Sequence, residues 1–160
     1  MQNKSELIEH FVLTRNQLRE LLPKIDIHME IYPGWTIKEV LAHLTGWDDA
    51  IIIALQMFAA GQPPLMTAAR GINFYNSQTV AERKELTLEQ IIREWEWVRE
   101  QLIPIVHALT DKELAATLVA PWGVSMSVLD LLHVIVHHEN EHTEVIKTRI
   151  ADPHQPPTEH

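Results

Sequence analysis

The sequence predicts an all-α fold, a four-helix bundle with a long crossover connection between its second and third helices. Three observations predict it. Four long segments carry apolar residues at helical spacing, each opens on a Ser/Thr/Asn with a capping partner three residues later, and no stretch alternates in the manner of a strand. At 160 residues the chain suffices for one core and is short for two. A single bundle domain is expected over residues 1–150, followed by a disordered tail over 151–160, where Pro153, Pro156 and Pro157 deny any regular element.

Asn3 with Glu6 opens the first helix, which runs to about Leu22 on a stripe of Leu7, Phe11, Leu18 and Leu22 and stops at Pro23. Thr36 with Glu39 opens the second, expected from Ile37 to about Ala60 and ended by Gly61 ahead of Pro63 and Pro64. Its stripe holds Val40, Leu44, Trp47, Ile51, Ala54 and Phe58. Thr87 with Gln90 opens the third, through Ile91, Trp95, Val98 and Leu102 to about Leu109, with Pro104 expected to kink it or end it early. Ser127 with Asp130 opens the fourth, to about Ile150. The connection from Gln62 to Leu86 is long enough to cross the bundle and to hold a short helix around Ala68 to Arg83, and Thr110 to Glu113 reads as one more helical turn.

Composition narrows the chemistry. With no cysteine, disulfides, Cys-ligated zinc and a protein thiol nucleophile are excluded, leaving His, Asp and Glu as the strong metal ligands. The 22 acidic against 13 basic residues, with no basic cluster, argue against nucleic acid as a partner. The N-terminal residues lack an apolar leader, and the longest apolar run, Ala50 to Ala60, contains Gln56 and is too short for a bilayer. A cytoplasmic protein without a membrane partner is expected.

The fourth helix carries His133, His137, His138 and His142, and helical phase sorts them. With Leu131 set at 0°, Ile135, His138, His142, Ile146 and Arg149 fall within roughly 60° of it at about 100° per residue. His133 and His137 fall opposite, in the company of a solvated face. His138 and His142, four residues apart, therefore point inward together, and two buried imidazoles without partners are costly. A divalent cation satisfies one nitrogen of each, with Glu139, Glu141 or backbone carbonyls as acceptors for the other. His43, at the edge of the second helix's stripe, is the candidate third ligand. Three His ligands leave an open position, the catalytic form of a zinc site. Trp47, Tyr75 and Trp97 are candidate cleft-lining residues, Trp97 because it lies off its helix's stripe and so marks an interface or a cleft wall.

Trp35-Thr-Ile-Lys-Glu-Val-Leu-Ala-His43-Leu, the Pro121-Trp122-Gly123 turn, and Leu131-Leu132-His133 leading to His138-Glu-Asn-Glu-His142 together resemble the DinB-like superfamily of metal-binding four-helix bundles, over most of residues 5–150. Ala42-His-Leu-Thr-Gly-Trp-Asp48 with Gly71-Ile-Asn-Phe-Tyr-Asn76 further resembles its ClbS-like branch, associated with self-protection against reactive genotoxins and not uniformly keeping the histidine triad. The resemblance places the metal ligands at His43, His138 and His142 and implies a homodimer. Where the common pattern continues His-His-Arg-Gly, this chain has Glu141 and Glu144 nearby, which changes the groups available to a substrate.

The resemblance implies a metal-dependent enzyme of detoxification or stress response. It would transfer a low-molecular-weight thiol to a small electrophile, or hydrolyse that electrophile, with zinc or nickel, or iron or manganese, as the ion. The alternative is a non-catalytic bundle that sequesters a small molecule, as the ClbS-like branch suggests; a purely structural module with hydrogen-bonded histidines is the third reading.

Overall fold

The computed structural model describes residues 3–160. The bundle consists of α1 (Lys4–Leu21), α2 (Ile37–Ala59), α4 (Leu88–Ala108) and α6 (Val128–Ala151), with α3 (Ile72–Glu82) and the short α5 (Asp111–Ala115) in the two long connections. The capping chemistry read from the sequence starts each long bundle helix. Asn3 Oδ1 accepts from the Glu6 N–H, Thr36 donates to Glu39, Thr87 Oγ1 accepts from the Gln90 N–H, and Ser127 Oγ accepts from the Asp130 N–H. α4 runs past Pro104 to Ala108, so the proline does not end it early.

The absence of strands expected from the sequence is corrected. β1 (Thr117–Val119) and β2 (Ser125–Ser127) form an antiparallel pair around the Pro121-Trp122-Gly123 turn, where Gly123 takes φ +89°. Three residues per strand are too few to print a period-2 signal.

α1 packs on α4 and α6, and α2 packs on the same two helices. The apolar interior falls into two halves. One contains Phe11, Ile51, Leu102 and Leu131, the other Leu18, Leu41, Trp95 and Ile146. Between them, in the middle of all four helices, sits a buried layer of charge: Arg15 of α1, Asp48 of α2, Arg99 of α4 and Glu139 of α6, none more than 3% exposed. Each arginine meets both carboxylates. Arg15 Nε donates to Glu139 at 2.8 Å and its Nη2 to Asp48 at 3.1 Å; Arg99 Nε donates to Asp48 at 2.9 Å and its Nη2 to Glu139. Two positive and two negative groups cancel, which is what makes burial tolerable. The layer fixes the axial position of α6 against the other three helices, and the histidines flank Glu139.

α3 lies on α2 by a close approach that needs a glycine. A methyl group at Gly46 would fall 1.9 Å from Thr79 Oγ1 and 2.6 Å from its Cβ. Arg83, just after α3, ties it down through Asp49 at 3.0 Å and Glu94 at 2.8 Å. Gly46→Ala is expected to destabilise by about 1–3 kcal/mol through overpacking, outweighing the roughly 1 kcal/mol that alanine gains over glycine inside a helix. Urea midpoints check this, with Thr79→Gly in the Gly46→Ala background expected to recover most of the loss.

Candidate metal centre

α2 and α6 carry the three histidines to one point. His43 Nε2 lies 2.9 Å from His138 Nε2, which lies 2.9 Å from His142 Nε2. The rings meet edge to face, at 79° for His43 and His138, 83° for His43 and His142, and 72° for His138 and His142, so the three converge with their Nε2 edges inward. His43 and His142 are buried and His138 is half-buried. On α6, Leu131, Ile135, His142, Ile146 and Arg149 are buried and His137 is exposed, as helical phase predicts, but His133, expected on the solvated face, is half-buried with its Nε2 covered.

Burial holds these imidazoles neutral. It pulls His142 down to about 2, helped by the charges His138 and His160 would carry, and pulls His138 down to about 4 against the opposing pull of Asp48. His43 lies well below its ordinary value, first from burial and then from the charges His138, His142 and His160 would carry. Neutral imidazoles with convergent nitrogens are the donor set a divalent cation requires. The 2.9 Å spacing is close to the ligand separation of about 3.3 Å that follows from Zn–N bonds of about 2.0–2.1 Å in a tetrahedron. The donors therefore fit such an ion in type and protonation, and in the spacing of His138 to each of the other two.

Second contacts depart from the sequence reading. Glu139, a candidate acceptor for an imidazole N–H, is committed to Arg15 and Arg99 instead. The partner of His142 Nδ1 is the Tyr32 hydroxyl, at 2.6 Å. Tyr32 reaches it from the Tyr32-Pro33-Gly34-Trp35 turn, in which Gly34 takes φ +76° and Trp35 and Tyr32 bond back to each other. Burial and the charge of Glu141 raise the Tyr32 pKa, so the phenol keeps its proton. The Pro-Gly pair was a legible turn signal, but nothing local tells that the turn ends beside α6. His43 Nδ1 is buried without a hydrogen-bond partner.

The centre opens on a cleft of about 420 Å³ lined by His43 and His138 together with Trp47, Trp122, Ile72 and Val134. Trp47 donates from its indole to Asn76 at 2.8 Å and packs edge-on to Trp122 with centroids 5.7 Å apart. Tyr75 stands behind this wall, its ring 4.7 Å from that of Trp47 and its hydroxyl donating to the Gly46 carbonyl. Trp97 is not brought to the cleft. It is 56% exposed on α4, because Trp95 and Val98 take the inward positions on either side of it. His137, set aside by phase, reaches the cleft rim, where it pairs with Glu141 at 3.2 Å. The tail from Asp152, expected to be disordered, is placed along this end of the bundle, with His160 lining the cleft.

Two solved structures share this fold. The colibactin self-resistance protein ClbS, in complex with a dsDNA, superposes with a TM-score of 0.76 at 13% identity, over 91% of this chain and 94% of that one. The sibling lethal factor precursor DfsB superposes with a TM-score of 0.80 at 16% identity, over 97% and 99%. No curated protein sequence matches the chain. The exclusion of nucleic acid is corrected by the first of these, since a protein of this fold is found on duplex DNA. Net charge sums over the whole surface, whereas phosphate contacts are made by a local set of groups, so an acidic total does not decide the matter. Among the described residues no helix is long and apolar enough to cross a membrane. The DinB superfamily model matches residues 10–146, nearly the whole bundle from α1 to α6, and the chain belongs to that superfamily.

Proposed function

We propose that the chain is a metal-dependent enzyme of detoxification or stress response. His43, His138 and His142 hold a divalent cation, and the adjoining cleft presents a small electrophile to a low-molecular-weight thiol or to water. The observation that carries this reading is His138 Nε2 lying 2.9 Å from both His43 Nε2 and His142 Nε2, across two helices, on the wall of a largely apolar cleft. Three imidazoles suit zinc or nickel, with iron and manganese as the alternatives. Bound there, the ion would supply Lewis acidity and lower the pKa of a thiol or water.

The chain's own residues divide the remaining work. Tyr32 holds the His142 ring in orientation through Nδ1. Trp47 and Trp122, packed edge to face, give the electrophile an apolar wall and exclude water from one side of it. His137 and Glu141, paired on the rim, are the bases that accept the proton of the thiol or water. In the transfer, a sulfur–carbon bond forms as the bond to the leaving group breaks, and the leaving group departs with the electron pair.

Protein produced without a histidine tag and dialysed against zinc is expected to retain about one ion per chain by elemental analysis. His43→Ala, His138→Ala and His142→Ala are each expected to lose it while keeping the helical circular dichroism. Full metal retention in His43→Ala would sink the reading. A second reading, a sequestering bundle, is favoured by the Trp47, Trp122 and Tyr75 cluster beside the site and by the self-resistance role carried in the name of ClbS. Protection of a DNA duplex against an electrophile separates the two: protection that survives chelation and His142→Ala belongs to sequestration, and protection lost with the metal belongs to the enzyme.

A further inference from the structure

Residues 152–160 bring a fourth imidazole to the centre. Arg149, buried at the end of α6, donates from Nε to the Glu30 carbonyl at 3.0 Å and from Nη1 to the Gln155 carbonyl, pinning the tail to the loop ahead of α2. Pro156 and Pro157 follow, restricting the backbone beyond the pin. The His160 ring then lies 4.6 Å from Trp35 and 4.8 Å from Tyr32, stacks on His142 at 5.2 Å and 24°, and meets His43 edge-on at 5.0 Å. Ring nitrogens of His43, His142 and His160 all fall within 4.8 Å of one another, a group that does not take in His138, which reaches His43 and His142 at 2.9 Å.

Resting on the metal reading above, we propose that His160 is a fourth, displaceable ligand of the ion held by His43, His138 and His142, and that its departure frees the position a thiol substrate takes. A fully protein-ligated tetrahedral ion has no vacancy, whereas three ligands leave one open. The four imidazoles differ in how they are held. Three stand on packed helices, and His160 is exposed at the end of a segment whose nearest anchor is the Gln155 carbonyl. Ordering that segment costs on the order of 1–2 kcal/mol per residue, so the bond to His160 is the one an incoming thiolate replaces. The tail then closes the centre against water and adventitious ligands and yields it to a thiol, which binds a soft-accepting cation more strongly.

The test uses the full, untagged chain loaded with Co²⁺ and read by visible absorption and by competition with a chelator. His160→Ala is expected to shift the ligand-field bands, to weaken cobalt binding by about tenfold or more, on the scale that loss of supporting groups alone produces, and to develop a thiolate charge-transfer band at lower 2-mercaptoethanol concentration than the parent chain. His154→Ala, in the same tail, is expected to leave all three readouts unchanged. An unchanged spectrum and affinity in His160→Ala, with cobalt lost in His43→Ala, would overturn the role of His160 and leave the three-histidine reading standing. The same would follow if His154→Ala reproduced the effect. Cobalt retained in His43→Ala would overturn both.

Discussion

Arg99→Met is expected to destabilise the folded chain by about 3–5 kcal/mol, the range for removing one partner of a buried ion pair. The guanidinium of Arg99 donates to Asp48 at 2.9 Å, to Glu139, and to the Phe11 carbonyl at 3.1 Å. Its loss leaves two buried carboxylates to share Arg15 alone. The contrast is Arg19→Met, which removes the exposed pair with Glu96 and is expected to change stability by less than about 1 kcal/mol. Denaturant unfolding of both variants checks the comparison, and adding Asp48→Asn to Arg99→Met is expected to recover part of the loss by removing the surplus negative charge. Equal midpoints for Arg99→Met and the parent chain would mean that the charged layer contributes nothing to holding the bundle. Because Glu139 follows His138 directly, Arg99→Met is also expected to loosen the histidine cluster, read as a lower metal affinity in the fraction that remains folded.

Acidification of the metal-free chain from about pH 6.5 toward pH 4 is expected to unfold it. His43, His138 and His142 start from an ordinary value of 6.5, and the fold holds all three lower, His138 at about 4 and His142 at about 2. Within that window the unfolded chain binds more protons than the folded one, so stability rises with pH and falls as pH falls; it is fully present above 6.5. Each group contributes a slope of up to about 1.4 kcal/mol per pH unit, which for three groups is a large share of the roughly 5–15 kcal/mol that a domain commands. Asp49 works in the opposite sense near its own, lower range, since burial raises its carboxyl and favours the protonated folded state. A divalent cation competes for the same nitrogens, and at a hundredfold excess over its dissociation constant adds about 2.7 kcal/mol. Circular dichroism followed through an acid titration, with and without zinc, should therefore give a lower midpoint pH with zinc. A stability that does not change between pH 6.5 and 4 would show that the cluster accepts protons in the folded state.

The charged layer was within reach of a closer reading of the stripes. Arg15 sits between Phe11 and Leu18, Asp48 between Leu44 and Ile51, Arg99 between Trp95 and Leu102, and Glu139 between Ile135 and Ile146, each at an inward phase of its helix. A charge in an apolar stripe is ambiguous on one helix and informative when four helices supply two of each sign. Tyr32 and His160 left no such trace. Their value lies in being near α6, and proximity between segments more than a hundred residues apart, or between a tail and a loop, has no local periodicity to betray it.

By itself the sequence determined the helical elements, their starts and the inward phase of His138 and His142 on α6, because capping and the 3.6-residue period are local properties of the chain; that His43, 95 residues before His138, meets them is a property of the packed helices. Tertiary structure decided what surrounds them: that Glu139 answers arginine and not imidazole, that Tyr32 holds His142, that Trp122 and not Trp97 walls the cleft, and that His160 lies against the cluster. Those partnerships depend on which side chains the packed helices bring within a hydrogen-bond length, and that is fixed only when burial makes an unpartnered polar group costly.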